Sequence, residues 1–477
     1  MYNAVLTDQS LISAGFPAGE NMYSRTRHSH EIDMLHGPLL PKIIMFSLPL
    51  ALSNALQLLF NAADVIIVGR YAGSAALAAV GATTVLVNLL VNFFIGISMG
   101  ANIFFASGYA AGKKEQVSRG VHTAVVFSVL SGIGFAAAGI LGADFILRQM
   151  QTPAEIAPMS AAYFRIYLIG LPAIITYNFG SAALRSMGDT QRPMYYLLFS
   201  GILNVILNLI TVIGMQMGVA GVAIATTASN YVSAFLVVRA LAMEESCFRL
   251  DPRQLRIDPK VLKEMLRLGL PSGIQSSMFG IANVLIQSSI NGFGAAYIAG
   301  NATSVNIEGF ILTVINAFSA AGLTFGSQNV GARYYKRADR VFRTVLASGV
   351  PITFVIGVLM AVFRVQFVSI YNSDPDVIMV GGMRILAMLP LYWLEVVMNG
   401  YSSAMRSLGH TMEPMIIAIV SICIFRIIYL HTVFAMSPTY ETLLLIWPVS
   451  WVLSIVASIV VYRRIRRRYP SEDAAAA

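Results

Sequence analysis

Charged side chains are scarce in this chain. Asp, Glu, Lys and Arg make up 12% of its 477 residues, about half of the roughly 25% typical of soluble proteins. That scarcity excludes an ordinary water-soluble globule. Cysteine is nearly absent too: Cys247 falls in a polar connection and Cys423 inside an apolar run, which leaves no disulfide framework. Six histidines and two cysteines are too sparse for a metal cluster. No phosphate-binding loop is found. The nearest stretch, GYAAGKK from Gly108 to Lys114, lacks both the required spacing and the Ser or Thr, so ATP hydrolysis by this chain is not expected, nor is any other enzymatic activity. Met1 to His36 is polar and has no short apolar core, so it reads as a soluble leader and not as a cleaved signal peptide.

What the chain has instead is apolar sequence. Hydrophobic residues reach 57%, and the mean hydropathy is +0.70. Twelve apolar segments recur along the whole length, at 41–69, 76–108, 120–146, 158–184, 193–214, 218–241, 262–291, 297–328, 341–363, 377–404, 412–434 and 441–462. Each meets the length of about 20 residues that a bilayer-spanning helix needs. The expectation is an all-α integral membrane protein. The net charge of +9 is then a topology signal before it is anything else, and no nucleic-acid partner is implied.

Basic residues alternate from one connection to the next. Arg25, Arg27 and Lys42 precede the first span; Lys113, Lys114 and Arg119 follow the second; Arg185 and Arg192 follow the fourth. Arg333, Lys336, Arg337, Arg340 and Arg343 follow the eighth, Arg406 the tenth, and Arg463, Arg464, Arg466, Arg467 and Arg468 the twelfth. Because positively charged loops stay in the cytoplasm, both termini are expected there, in a multi-pass protein of the cell (inner or plasma) membrane. A charged stretch at 242–261, with Glu244, Glu245, Arg249, Asp251, Arg253, Arg256, Asp258 and Lys260, falls mid-chain and reads as a cytoplasmic linker between two six-span halves. The expected domains are therefore a leader at 1–40, an N-terminal bundle at 41–241, the linker, a C-terminal bundle at 262–462 and a basic tail at 463–477.

The halves repeat. GSAALRSMGDTQRPM (Gly180 to Met194) matches YSSAMRSLGHTMEPM (Tyr401 to Met415) at a constant offset of 221 residues, pairing Arg185 with Arg406 and Gly188 with Gly409. Leu48-Pro49 pairs with Leu270-Pro271, and Gly112 with Gly331. Six spans per repeat is an even number, so the halves share one orientation, and such parallel repeats enclose a central cavity between two bundles. Pro172 and Pro390 fall at similar places and suggest bends.

The first apolar segment, LPLALSNALQLLFNAADVIIVGR from Leu48 to Arg70, carries one carboxylate, Asp64, with Pro49 upstream as a bend point. An ionisable group there costs roughly 2.5–3.5 kcal/mol at the membrane centre and so needs a partner or a role. Asn204 and Asn208 lie four apart, on one helix face, and Thr226 lies in the small-residue run GVAGVAIATTAS. Asp64, Asn204, Asn208 and Thr226 together offer one carboxylate, two amide carbonyls and a hydroxyl, oxygen chemistry suited to Na⁺ or to a carboxylate that takes up H⁺. The blander alternative places Asp64 near the helix end, capping or paired with Arg70.

In the second half the intramembrane acids are Glu308 and Glu395, expected as cavity acids, and the repeat counterpart of Asp64 falls near Ile286 and Gln287. Arg165 and Arg384 are expected at the outer ends of their spans, snorkelling or paired, and Arg426 is a candidate counter-charge for Glu395 or Glu308. With 23 Met, 26 Phe, 20 Tyr and 3 Trp, the chain has the thioethers and aromatic faces that suit a cavity for lipophilic cations, although most of them serve as core or lipid-facing filler.

On the first segment, the paired ALRSMGDTQRP and AMRSLGHTMEP stretches and GVAGVAIAT, the chain resembles the multidrug and toxic compound extrusion (MATE) transporters of bacterial type, over about residues 40–462. The resemblance implies a monomeric antiporter without cofactor, driven by H⁺ or Na⁺, that exports lipophilic and often cationic small molecules from a membrane-lipid setting. It implies a cation-coupling role for the acid in the first span, here Asp64, with Asn204 and Thr226 in the same site. Many members carry Asp where this chain has Asn208, which leaves a single carboxylate. Glu395 matches an acidic second-lobe position tied to coupling in sodium-driven members, whereas a further acid of those members is missing near Met278. A flippase for a lipid-linked envelope precursor, from the same broad fold group, is the alternative.

Overall fold

The structure, a computed structural model, describes residues 31–470. Most of the expected leader, residues 1–30, and residues 471–477 of the tail lie outside the described residues. Among the described residues all regular structure is helical. The first half contains α1 (Leu39–Ile67), α2 (Ser74–Ala110), α3 (Lys114–Gln149), α4 (Ala157–Ile169), α5 (Leu171–Ser186), α6 (Gln191–Asn208) and α7 (Gly218–Ala242). The second half contains α8 (Pro259–Asn291), α9 (Ala295–Gly331), α10 (Tyr335–Val362), α11 (Arg364–Tyr371), α12 (Pro375–Met388), α13 (Trp393–Ser407), α14 (Met412–Ala418), α15 (Phe425–Tyr429), α16 (Tyr440–Leu444) and α17 (Ile446–Arg466).

Nine of the helical stretches are long and apolar enough to cross a bilayer unbroken. Two further crossings are bent pairs, α4 with α5 by 41° and α12 with α13 by 46°. The bends fall beside Pro172 and Pro390, where the missing proline N–H interrupts the backbone ladder. The remaining crossing is α8, 33 residues long and polar along one side through Gln275, Asn283 and Gln287. The chain is thus a twelve-span protein in two six-span halves.

The repeat is visible in backbone detail. Helices α2 and α9 start at Ser74 and Ala295 and both run 37 residues; α3 and α10 start at Lys114 and Tyr335; α6 and α14 start at Gln191 and Met412. Gly73 and Gly294, and Gly188 and Gly409, share positive φ at the same 221-residue spacing. The match of Gly112 to Gly331 needs correction. The left-handed turn at Gly112 (φ 71°) has its partner at Arg333 (φ 61°). Gly331 lies two residues earlier and presses on the Ser107 backbone, where an added Cβ would sit 2.2 Å from the carbonyl oxygen.

Each half has its own apolar core. One gathers Phe94, Phe105, Phe164, Phe179 and Phe248; the other gathers Ile311, Met388, Tyr392, Leu443 and Trp451. Phe248 belongs to the charged connection after α7, so this linker is pinned to the first bundle, and Asp258 at its end accepts from the N–H groups of Lys260 and Val261 to cap α8.

A third core joins the halves. Met34, Ile43, Phe46 and Leu50 pack with Ala317, Phe318, Phe325, Val341 and Val345. Residues before α1 are strapped across this junction: Asn329 donates to the Met34 carbonyl, and Arg337 donates to the carbonyls of Met34, His36 and Gly37. Nearby, the Thr324 hydroxyl donates to Asn102, and Gln328 to the Ser186 carbonyl. Helix α2 closes tightly on α8, where Gly96 and Gly100 face Gly273 and Gly269 so closely that a Cβ on Gly100 would lie 2.2 Å from the Gly269 nitrogen. All of these contacts gather toward the end of the molecule that carries Lys113, Lys114 and Arg333. Along α2 the buried positions concentrate in Phe94–Ala106, whereas Ser74–Asn92 is largely exposed. The halves therefore close on each other at the basic end and part toward the other.

Candidate functional site

The first-half cluster is assembled by one close helix crossing. The Phe60 ring of α1 lies on Gly201 of α6, in space that a Cβ would fill to within 1.9 Å of the ring. One turn further along, the same two faces carry Asp64, Asn204 and Asn208. Both helices then pass into π-helical turns, Val68–Ala72 after α1 and Leu209–Gly214 after α6, a local widening common at functional positions. Thr211 ties α6 to α7 by donating to the Gly221 carbonyl at 3.0 Å, and this brings Thr226 into reach.

The four residues named from the sequence meet. Asn208 Nδ2 donates to Asp64 Oδ1 at 2.6 Å, and the Thr226 hydroxyl donates to Asp64 Oδ2 at 3.4 Å. Asn204 Nδ2 donates to Thr226 Oγ1 at 3.3 Å, while its carbonyl accepts from Asn208 at 3.3 Å. Asn208 is fully buried, and its side-chain carbonyl oxygen has no hydrogen-bond partner. Asp64 is half-buried and makes no ion pair with Arg70, which is exposed. The pairing of Asp64 with Arg70 is thereby excluded. One carboxylate, one free amide oxygen and a hydroxyl within this cluster are hard-oxygen donors of the kind a small monovalent cation takes, and no cluster of His, Cys, Asp and Glu suited to a bound metal occurs among the described residues.

In the second half, α9 and α12 meet through small residues. Gly300 backs onto Gly381, and Ser304 Oγ donates to the Gly381 carbonyl at 2.9 Å. One turn beyond Gly381, Arg384 turns inward. Its Nε and Nη2 donate to the two carboxylate oxygens of Glu308 at 2.8 and 2.9 Å, a forked pair. Its Nη1 donates to Asn301 at 2.9 Å, and the Tyr392 hydroxyl donates to Glu308 at 2.8 Å. Of the two expectations for Arg384, snorkelling or paired at an outer end, pairing holds, whereas the outer-end placement is corrected, because the side chain is buried and held by a carboxylate. Arg165 does pair at the surface, with Asp144 at 2.8 Å.

These groups line a cavity of about 280 Å³ with Phe279, Asn283, Gln287, Glu395, Arg426, Trp447 and Trp451. Glu308 and Glu395 both border it. Arg426 is not the counter-charge of Glu308, which is Arg384; its own bonds go to Ser450 and Asn283, both at 3.3 Å. Gln287, near the repeat position of Asp64, bonds to Asn301 and Asn291. Sequence reading misplaced Arg384 at a span end and did not single out Trp447 or Asn283. A buried-looking Arg within a span was the available signal; the bend at Pro390 concealed it by making residue 384 look terminal.

Two bundles of like topology, joined at one end and parted at the other, with polar clusters buried inside each, define a two-lobed membrane transporter. The MatE family model matches residues 49–210 and 271–431, one stretch in each half. The chain belongs to the MatE family. It is similar to the probable multidrug resistance protein YoeA of Bacillus subtilis, 28% identical over 389 residues that cover 79% of this chain and 83% of that protein. It is similar also to the probable multidrug resistance protein NorM of Thermotoga maritima, 26% identical over 80% of this chain and 82% of that one. In fold it resembles a crystallised mutant of the Vibrio cholerae MATE transporter VcmN, with a TM-score of 0.83 over 91% of this chain and 98% of that chain at 18% identity.

Proposed function

We propose that this protein is an antiporter that uses an inward H⁺ or Na⁺ gradient to export lipophilic, often cationic, small molecules by alternating access. It works as a monomer in the cell membrane with both termini cytoplasmic. The observation that carries the reading is the Asp64 cluster: a lone carboxylate, bonded by Asn208 and Thr226 and next to an unpartnered Asn208 carbonyl oxygen, inside a span. The multidrug resistance relatives support the substrate class. With the basic end cytoplasmic, the described arrangement faces outward. From there Asp64 takes its cation, the loaded cluster favours the opposite arrangement, and the lobes exchange closure from one end to the other.

Each elementary charge moved inward supplies about 2.3 kcal/mol per 100 mV, enough to sustain a useful concentration ratio of exported compound. A precursor flippase calls for a net cationic cavity. Here Arg384 and Arg426 share their cavity with Glu308 and Glu395, and the balance favours drug export. The test is efflux of a fluorescent lipophilic cation from proteoliposomes under separately imposed pH and Na⁺ gradients, for wild type and Asp64→Asn. One gradient should drive efflux, and the variant should lose it while remaining folded; efflux retained in Asp64→Asn would overturn the coupling role.

A further inference from the structure

The two halves touch along two seams of like construction, α3 with α8 and α1 with α10, related by the 221-residue repeat that sets Tyr335 on Lys114. The first seam is covered by chain. His122 Nε2 and Thr123 Oγ1 accept from the backbone N–H groups of Asp251 and Asp258, each at 3.0 Å. Phe248 and Leu250 of the same linker join Val121, Val261 and Met265 in one core. At the second seam the repeat positions of His122 and Thr123 are Arg343 and Thr344. Among the described residues no such cover is present there: Leu40, Ile44, Arg343 and Ile352 are all exposed. The chain before α1 is engaged elsewhere, since Ile32 lies against the Gly188 turn and the Met34 carbonyl accepts from Asn329. What is left is an open groove of about 490 Å³, with Leu40 and Ile44 on one wall and Ala347, Pro351 and Ile352 on the other.

The groove is charged at one end only. Thr344 and Ser348 turn their hydroxyls back onto carbonyls of α10 itself, at 2.8 and 2.7 Å, so neither needs an outside partner. Arg343 stands at the basic end of the groove without an ion pair among the described residues. Lys336, Arg340 and Arg343 follow one another at i, i+4 and i+7 on one face of α10. No carboxylate lines the groove, and the acid of this turn, Asp339, is taken by Arg466 at 2.8 Å. From Arg343 to Ile352 the helix descends about 13 Å, close to half of a hydrocarbon core of about 30 Å. We propose that this groove seats an anionic phospholipid of the leaflet at the basic end, with its net negative headgroup on Arg343 and one acyl chain laid between α1 and α10. A cationic head above an apolar trough one leaflet deep is complementary to that amphiphile, whereas a soluble anion has nothing to lay in the trough. Because α1 belongs to the first half and α10 to the second, the lipid does at this seam what the linker does at the other and covers the outer side of the junction.

The experiment is native mass spectrometry of the purified full chain in a neutral detergent, titrated separately with dioleoyl phosphatidylglycerol and dioleoyl phosphatidylcholine, which share their acyl chains and differ in net charge. Wild type should retain one phosphatidylglycerol at about fivefold or more lower lipid concentration than phosphatidylcholine, the scale of one guanidinium meeting one net negative headgroup at a membrane surface. Added salt should narrow that gap. Arg343→Gln should remove the preference, and Arg343→Lys should keep most of it. Ala347→Phe, which fills the trough and leaves every charge in place, should lower retention of both lipids. Arg343 and Ala347 are exposed, so these variants are expected to fold, and their unfolding midpoints without added lipid check it. Equal retention of the two lipids by wild type means annular lipid only and overturns the proposal. So does a preference that survives Arg343→Gln, which moves the site to another cluster such as the basic tail at 463–468. Undiminished retention in Ala347→Phe leaves a headgroup patch with no trough, and dimers in place of lipid-bound monomers hand the groove to a second copy of the chain; either result overturns the assigned occupant.

Discussion

Gly100→Ala should shift the protein away from the arrangement closed at the basic end. An alanine Cβ there would lie 2.2 Å from the Gly269 nitrogen, 2.4 Å from its Cα and 2.6 Å from the Met265 carbonyl oxygen. Going from 2.2 Å to the 3.4 Å of ordinary contact takes about 1.2 Å of separation between α2 and α8. The obstructing atoms are backbone, so no rotamer change relieves the overlap. Overpacking of this kind costs about 1–3 kcal/mol, and it is felt only where the lobes touch. As a bias between two lobe arrangements that is roughly 5–150-fold. The readout is pulsed electron resonance distance measurement between spin labels at half-buried Gln116 on α3 and exposed Glu264 on α8, whose side chains are 3.2 Å apart across the basic end, after replacing Cys247 and Cys423 by serine. The ratio of the short-distance to the long-distance population should fall by that factor. Gly280→Ala, on the same α8 with nothing within 4 Å of the added atom, should leave it alone. An unchanged distribution in folded Gly100→Ala would refute the idea that this contact sets the closed arrangement.

Two further outcomes are expected. Arg384→Met leaves Glu308 buried without its counter-charge and should cost about 3–5 kcal/mol, read as a lowered midpoint of thermal unfolding in detergent, while Glu308→Gln combined with Arg384→Met should recover most of the loss. Outside the membrane, the backbone N–H of Val261, together with that of Lys260 and the Arg119 guanidinium, holds the Asp258 carboxyl below its ordinary value of 3.8. Its support of the linker is therefore complete at neutral pH and is lost as the pH falls through that lowered value; pepsin cleavage within 243–258 should rise on acidification below about pH 4, and less so in Asp258→Asn, which caps without titrating.

Much of this was readable in advance because the bilayer imposes simple rules. Spans follow from the length of apolar runs and orientation signals from basic connections. The repeat follows from one duplicated segment whose glycines need left-handed backbone. The Asp64 cluster was legible since an acid in an apolar run is conspicuous and Asn204 and Asn208 share a helix face by spacing alone. Of the second-lobe cavity only the acids Glu308 and Glu395 were legible. Glu308 and Arg384 are 76 residues apart, and nothing local to either says that Gly300 and Gly381 will bring their helices together. Gly112 misled as well, because the matching left-handed turn is made by an arginine, Arg333, which composition cannot flag. Met34, in a polar leader, gave no hint of a place in a core.

That buried Met34 bears on how separable the two halves are. The chain reads as a duplication, and a cut in the connection after α7 looks like the natural way to obtain two modules. Yet the apolar residues that finish the packing around Phe318 and Phe325 are supplied by Met34, Ile43 and Phe46, from the opposite half. The second module alone would have a gap in its interior, and the first would expose an oily stub. Duplication made the halves alike, but this exchange has made neither of them self-sufficient. Fragments split at the linker should assemble only when produced together, with the segment from Ile32 to Leu50 acting as the peg that locates one on the other.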